Sequence, residues 1–359
     1  MTETAMQYRE RLLVEEFAER TGFTAIAERL DRDIYPPYLY FGFFVFFDVA
    51  ILNTYKHLTG GTHALLVSPA WIASPVGLIL GVIGIRYMAD GYAQSIADLR
   101  INDRIDESDL KAFERTLPLR TKLLVYLFAL AVFFLHTFVN IGLGEIIAYE
   151  GIVTTVVAYF FLMPFVYLPL VVEFALTYSS IHFAVPKRIV EADLGLFFYD
   201  PRNMGGFASV GQLLKRSYYL YTAGLLVYFF LVYGPYLLSQ VGTVPLPKPG
   251  LFEAVFFSTA WLVGIVSIAH SMIRLHRVMA DEKEQRIQEL EDEMRDIIDN
   301  PYDINSSKVA DADRLDDVRR RLEQVRNTRV YPATFAMWSQ RGISVLLPQA
   351  LQLAIQAPG

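Results

Sequence analysis

The sequence predicts an all-α integral membrane protein with six to seven transmembrane helices, a cytoplasmic N-terminus and a cytoplasmic antiparallel helical hairpin before the last helix. Of the 359 residues, 53% are hydrophobic and only 19% are charged, which lies outside the usual range of soluble domains. A helix needs about 20 mostly apolar residues to cross about 30 Å of hydrocarbon. Six stretches meet this requirement, and they are 38–55, 64–88, 122–148, 152–182, 217–240 and 251–273.

The positions of lysine and arginine predict the orientation. With the N-terminus in the cytoplasm, Lys56 and Lys248 are the only two such residues beside outer loops, as the preference of positive charge for cytoplasmic loops requires. The first 33 residues read as a charged helix rather than a secretory signal. We therefore expect a multi-pass protein of the cell membrane with a cytoplasmic N-terminus.

Four segments follow from these patterns. The first segment, 1–35, is predicted to form an amphipathic helix or helix pair interrupted at Thr21-Gly22. The six-helix domain follows over 36–275, the hairpin over 276–332, and a C-terminal amphipathic helix over 333–359. The hairpin is predicted from two apolar series at coiled-coil spacing that flank a break at Pro301. The series are Ile287, Leu290, Met294, Ile297 and Leu315, Val318, Leu322, Val325. Such short seams need partners, either other inner segments or further copies of the chain, and on the second alternative we expect a homo-oligomer.

Turn-forming residues separate the fourth and fifth helices. Val185-Pro186-Lys187-Arg188 predicts the end of the fourth helix, and 200–206 predicts a turn before a helix that starts at Gln212. A phosphate-binding glycine loop would need a preceding strand and a lysine at P-loop spacing. The sequence shows neither, so the ordinary interpretation is a turn that re-enters the membrane.

Several polar residues interrupt the apolar stretches. Each costs about 2.5–3.5 kcal/mol when charged at mid-depth, so such residues face a bundle interior, pair with one another, or line water. The alternative is that they only form interhelical hydrogen bonds. For His182, near the inner end of its helix where solvation is cheap, we expect a structural role. The candidates are Asp48, His136, Asn140, Glu173 and Arg341.

The composition argues against catalysis and against nucleic-acid binding. There is no cysteine, no histidine pair at metal-binding spacing and no Gly-x-Ser-x-Gly motif, so we expect no enzyme, no metal and no cofactor. The net charge of −6 disfavours nucleic acid as a partner. The expected partners are the lipid bilayer and further copies of the chain, and no ligand is identified.

The last segment, about 333–357, has two faces. One carries Arg341 and uncharged polar residues, and the other is apolar. A helix that crosses the membrane and faces water fits this pattern better than one lying flat beneath it, whose polar side is usually rich in lysine and arginine. The residues predicted to line a pore are Ser344, Gln349, Gln352 and Gln356.

The predicted chain has seven helices, a cytoplasmic N-terminus and a C-terminus outside the cell. This layout resembles that of the insect odorant and gustatory receptor superfamily of ligand-gated cation channels. The family's last helix carries Thr-Tyr, several apolar residues and Gln-Phe. Here Thr334-Phe335 is followed by Ala-Met-Trp-Ser and Gln340-Arg341, one residue shorter and without the closing Phe. The resemblance implies that Gln349, Gln352 and Gln356 line a pore, that 276–332 forms a shared intracellular anchor, and that the assembly is a tetramer.

Three functions remain open from the sequence. The first is an oligomeric channel or channel-like sensor that passes small ions along the last helix. The second is a non-conducting membrane scaffold or signalling protein that uses its hairpin. The third is a secondary transporter with Asp48 and Glu173 as coupling carboxylates.

Overall fold

The computed structural model describes residues 8–30, 34–59, 65, 68–105, 113, 117–240 and 248–331. Six helices are long and apolar enough to cross a membrane, which supports the predicted helical multi-pass membrane protein. In chain order the helices are α1 (Leu13–Arg20), α2 (Phe23–Arg29), α3 (Pro36–Leu58), α4 (Pro69–Asp98), α5 (Leu119–Val139), α6 (Leu143–Glu150), α7 (Ile152–Glu191), α8 (Ala208–Ser239), α9 (Leu251–Ile297) and α10 (Ala312–Asn327), and the two short strands are β1 (Ile298–Asp299) and β2 (Lys308–Val309). We call the end of the bundle where α3, α5 and α8 begin the N-terminal face.

Large apolar side chains cover much of the outer surface of the long helices. On α5, Phe128, Leu135 and Val139 expose 71%, 64% and 69% of their surface. A contiguous apolar surface of this kind is rare on a soluble protein, whereas lipid accommodates it. The pattern therefore fits a bundle whose outer surface faces hydrocarbon.

Helix α4 is central and packs on α3, α7 and α8. A Cβ atom at Gly77 would lie 2.8 Å from Cγ1 of Val227 in α8, and one at Gly81 would lie 2.8 Å from Cδ2 of Leu170 in α7. In lipid, helices gain little from the hydrophobic effect, so small residues that permit close contact stabilise the interfaces. The two glycines thus set the spacing of the central helices.

Four π-helical stretches lie within the long helices or, for His136–Ile141, extend just past the end of α5. They are Phe47–Leu52, His136–Ile141, Ala158–Tyr167 and Ser180–Ala184. In α7, Pro169 lacks an N–H, so the carbonyl of Phe165 four residues earlier loses its usual helical donor. The hydroxyl of Tyr40 donates to that oxygen at 2.6 Å. Tyr126 likewise donates to the carbonyl of Pro164 at 2.9 Å. Neighbouring helices therefore satisfy the backbone where α7 departs from α-helical geometry.

Three predicted helix limits are wrong. The stretch 122–148 is not one helix, because Gly142 adopts a φ of 91° and begins the separate helix α6. The fourth long helix does not end near Pro186 and continues to Glu191. Pro186 lies in the first turn after a π-helical stretch, and the helix continues through it. Helix α8 begins at Ala208 rather than Gln212.

Of the predicted helix or helix pair, the N-terminal segment forms the pair, α1 and α2. Gly22, with a φ of 84°, separates α1 from α2. Leu12 and Leu13 are fully buried. Leu13 packs against Tyr126 of α5 and Val172 of α7. Helix α1 is therefore part of the bundle core, not only a cover on its surface.

Helix α9 continues without a break beyond the apolar stretch and ends at Ile297. Its 47 residues extend about 70 Å at about 1.5 Å per residue. Strands β1 and β2 pair antiparallel and reverse the chain, with Asn300 in the left-handed region at a φ of 54°. Helix α10 then packs back along α9. The buried cluster between them contains Leu290, Ile297, Leu315, Val318, Leu322 and Val325, with Ile287 and Met294 packed against it.

Candidate functional site

Three charged side chains from separate elements meet inside the bundle near the N-terminal face. Nζ of Lys122, at the start of α5, lies 2.7 Å from Oε1 of Glu10 and 2.8 Å from Oε1 of Glu173 in α7. The three side chains are 1%, 5% and 0% exposed. We call these residues the charged triad.

Additional donors solvate the two carboxylates of the triad. Glu173 accepts hydrogen bonds from the backbone N–H of Leu13 at 2.5 Å and from the hydroxyl of Thr177 at 3.1 Å. Glu10 accepts from the backbone N–H of Leu117 at 3.2 Å. Because buried charges are tolerated only when paired and hydrogen-bonded, these contacts join the N-terminal segment to α5 and α7.

His182 forms a second buried polar cluster between α7, α8 and α9. Its Nδ1 lies 3.1 Å from Oγ of Ser271, and its Nε2 lies 3.1 Å from Oγ of Ser217. One turn earlier, the hydroxyl of Tyr178 lies 2.6 Å from Oγ of Ser267. The expectation of cheap solvation at His182 is wrong, because its ring is fully buried and the serine hydroxyls take the place of water.

Asp48 lies in the π-helical stretch of α3 and lines a cavity of about 290 Å³. Its Oδ2 accepts a hydrogen bond from the hydroxyl of Tyr167 at 3.1 Å, and that hydroxyl lies 3.2 Å from Oγ of Ser74 in α4. The ion pair between Lys56 and Glu150 lines the same cavity. Lys56 is near the end of α3, so the cavity lies toward the face opposite the N-terminal face.

The structure does not bring Asp48, His136 and Glu173 into one buried group. Asp48 bonds to Tyr167, Glu173 bonds to Lys122 within the charged triad, and His136 is exposed on the surface of α5. Asn140 belongs to the same π-helical stretch as His136, and its side chain lies outside the described part of the chain.

After the hairpin, the chain comes back to the bundle. Nδ1 of His276 lies 2.9 Å from the carbonyl oxygen of Val330, and the rings of His276 and Tyr331 stack with centroids 4.0 Å apart. His276 follows the apolar part of α9, so Tyr331 lies beside that helix at the N-terminal face. The predicted polar residues beyond this point lie outside the described residues, and they are Arg341, Ser344, Gln349, Gln352 and Gln356.

Sequence reasoning does not find the partners of the buried polar residues. Glu173 is an isolated acid in an apolar stretch and needs a cation. Lys122, at the edge of another predicted helix, could have been proposed from the sequence as that cation. Ser217 and Ser271 gave no signal, because serines in helices commonly donate to their own backbone and both also do so here.

Comparison of the chain with protein families, with curated proteins and with solved structures finds no match. The function is therefore inferred from the residues and contacts described above.

Proposed function

We propose that the chain is an oligomeric membrane channel or channel-like sensor that passes small ions, with residues 333–359 as its pore-lining helix. In this proposal the N-terminal face is cytoplasmic, the six long helices form the scaffold, and the hairpin of α9 and α10 assembles the subunits. The observation that carries the proposal is the return of the chain to His276 after the hairpin.

This return gives the C-terminal segment a suitable starting point. Residues 332–359 would extend about 40 Å as an α-helix, which exceeds the hydrocarbon thickness of about 30 Å. A helix that begins beside His276 and runs away from the hairpin would cross to the opposite face. The contact between His276 and Tyr331 thus supports a spanning segment.

The polar stripe of that segment suits a water-filled path. Ser344, Gln349, Gln352 and Gln356 supply hydroxyl and amide groups that can replace part of the water shell of an ion. Uncharged groups select weakly between ions, so we expect modest discrimination. Several copies of the helix are needed to enclose a path, so the proposal requires an oligomer.

Ion flux into liposomes that contain the purified protein tests the proposal. Gln352→Leu should reduce the flux, and Gln352→Glu should increase preference for cations over anions. Leu353→Ile, on the apolar side of the same helix, is the matched control and should change neither. A C-terminal tag should react with an impermeant reagent outside intact cells. Flux no higher than in empty liposomes, across pH and voltage, would contradict the proposal.

The cavity beside Asp48 favours a second candidate, a secondary transporter. Asp48 lies in a π-helical stretch and lines this cavity, and carboxylates within membrane spans commonly belong to ion or proton paths. The support is the contact of Asp48 with Tyr167, which lines the same cavity.

Proton uptake into liposomes under an imposed pH gradient separates the two candidates. A transporter predicts that Asp48→Asn abolishes uptake, whereas Glu145→Gln, an exposed acid on α6, leaves it intact. If the chain is a channel, Asp48→Asn should leave the flux unchanged and Gln352→Leu should reduce it, because conduction would depend on Gln352 and not on Asp48. Loss of uptake in both acid variants would argue for misfolding instead of coupling.

A further inference from the structure

A cavity of about 830 Å³ lies at the N-terminal face. Its wall is formed by the end of α4, by the short 3₁₀ turn Ile101–Asp103 and by the turn before α8, and Tyr8 of the N-terminal segment also lines it. Cavities that bind small organic ligands typically measure about 300–1,000 Å³. This cavity is separate from the charged triad and from the recess at Asp48.

Three arginines line the cavity, and they come from three positions along the chain. They are Arg100, Arg104 and Arg202. Among the residues that the structure describes, Arg104 donates no side-chain hydrogen bond, and its Nη1 atom is buried without a partner. Burial accordingly lowers the pKa of the Arg104 guanidinium. A buried donor without an acceptor costs free energy, which an added acceptor would recover.

Three aspartates also line the cavity, and two of them, Asp98 and Asp200, have hydrogen-bond partners within their own segments. Asp98 accepts a hydrogen bond from Nε2 of Gln94 at 2.7 Å. Asp200 accepts from the backbone N–H groups of Arg202, Met204 and Gly206 at 3.0, 3.1 and 3.0 Å. The third, Asp103, is exposed and attracts Arg104, but in the part of the chain that the structure describes no ion pair or side-chain hydrogen bond joins the two. The guanidinium group of Arg104 therefore keeps donors available for another anion.

The turn before α8 brings its backbone close to Arg104. Gly206 has a φ of 82°, and a Cβ atom there would lie 3.0 Å from Nη2 of Arg104. The backbone N–H groups of the turn are used by Asp200, so they cannot cradle a phosphate as a P-loop does. An anion in the cavity would therefore be held by the arginine side chains.

We infer that this cavity binds a phosphate-bearing anion through Arg100, Arg104 and Arg202. Guanidinium groups bind phosphate oxygens with paired, charge-assisted hydrogen bonds, and three of them around one space suit a dianion or polyanion. The phosphate can belong to a soluble compound or to a lipid headgroup, because both present the same oxygens. The inference does not depend on whether the chain conducts ions.

The same turn also contacts the hairpin. The carbonyl of Asn203 accepts a hydrogen bond from the backbone N–H of Arg329 at 2.8 Å, and the carbonyl of Phe198 accepts from Nε2 of Gln324 at 2.8 Å. An anion that holds Arg202 would restrict this turn. Binding should therefore slow amide hydrogen exchange at the end of α10 as well as in the turn.

Calorimetric titration of the full-length protein with inorganic pyrophosphate, in nanodiscs of phosphatidylcholine, tests the soluble source. Arg104→Gln and Arg202→Gln should each weaken binding by about tenfold or more, the loss expected for one charge-assisted bond. Arg29→Gln removes an exposed arginine from α2 and should leave binding unchanged. Arg202 is exposed, so its variant should fold even if the Arg104 variant does not.

The lipid arm measures thermal unfolding in phosphatidylcholine vesicles with and without phosphatidylglycerol. Binding of pyrophosphate that needs Arg104 and Arg202 supports a soluble phosphate compound. Stabilisation by phosphatidylglycerol alone, lost in the same two variants, supports a headgroup. The inference is overturned if neither probe binds, or if both variants bind as the unaltered protein and the Arg29 control do.

Discussion

Nζ of Lys122 lies 2.8 Å from Oε1 of Glu173, with both side chains withdrawn from solvent at the contact between α5 and α7. The same ammonium also binds Glu10, so one lysine joins two long helices to the segment that precedes them. The docking of the N-terminal helices therefore depends on an interior ion pair as well as on apolar packing.

Replacing Lys122 by methionine should destabilise the protein by about 3–5 kcal/mol, because two buried carboxylates lose their cation. Denaturant unfolding in detergent measures this loss, and proteolysis near Arg11 reports release of the N-terminal segment. Lys187→Met is the matched control. Lys187 is exposed and 3.6 Å from Glu191, so its loss should cost at most about 1 kcal/mol. Equal effects of the two variants would contradict an essential charged triad.

His182→Ala should cost about 2 kcal/mol or more. The variant removes a buried ring and both of its contacts with Ser217 and Ser271, and it leaves a cavity between three helices. His270→Ala changes an exposed histidine on α9 and should stay within about 0.5 kcal/mol of the unaltered protein. Thermal unfolding in detergent compares the two, and a small effect at His182 would show that the cluster adds little to packing.

Leu322→Ala should loosen the hairpin without loosening the long helices. Leu322 is 6% exposed in the contact between α9 and α10, and truncating a buried leucine costs about 2–5 kcal/mol. Amide hydrogen exchange should therefore increase over 312–327 and remain unchanged in α4. Ile304→Ala, at a position 89% exposed in the connecting turn, serves as the control. Faster exchange throughout the protein would mean that the hairpin is not an independent unit.

The turn at Asp200 should resist acid. Burial alone would raise the pKa of Asp200, but hydrogen bonds from the backbone of Arg202, Gly206 and Met204 hold that pKa below its usual value. A lowered pKa means that the stabilisation is complete above the ordinary aspartate value of about 3.9 and is lost only as pH falls through the lowered value.

Amide exchange of Met204 and Gly206, corrected for the intrinsic effect of pH, measures this resistance. Protection should stay constant from pH 7 to about 5, since both limits lie above the ordinary aspartate pKa. Asp200→Asn should reduce the protection at every pH in this range. Protection in the unaltered protein that falls between pH 7 and 5 would show that another group controls the turn.

Local periodicity predicted the parts of the fold that depend on neighbouring residues. The apolar stretches predicted six long helices, and the series from Ile287 to Ile297 and from Leu315 to Val325 predicted the contact inside the hairpin. Each depends on residues one or two turns apart, which the sequence displays directly. The amphipathic pattern of residues 1–35 predicted an apolar face, but it could not show that Leu12 and Leu13 enter the bundle core.

The candidate sites were predicted less completely, because their contacts join distant parts of the chain. Because an isolated acid in an apolar stretch is energetically costly, the sequence identified Asp48 and Glu173 as candidates. Their partners Tyr167 and Lys122 are 119 and 51 residues away, so the sequence did not identify them. The arginine-lined cavity was missed altogether. Arg104 and Arg202 read as ordinary cytoplasmic charges until the end of α4 and the turn before α8 are brought together.

The continuity of α9 has a mechanical consequence. A rod about 70 Å long with no hinge turns a small tilt at one end into a large displacement at the other, and about 5° of tilt moves the tip by roughly 6 Å. A small tilt of α9 in the bundle would thus displace the turn at Asn300 by more than the length of one helical turn, about 5.4 Å. A molecule bound at the turn around Asn300 would therefore be displaced when the packing of the helices in the bundle changes slightly.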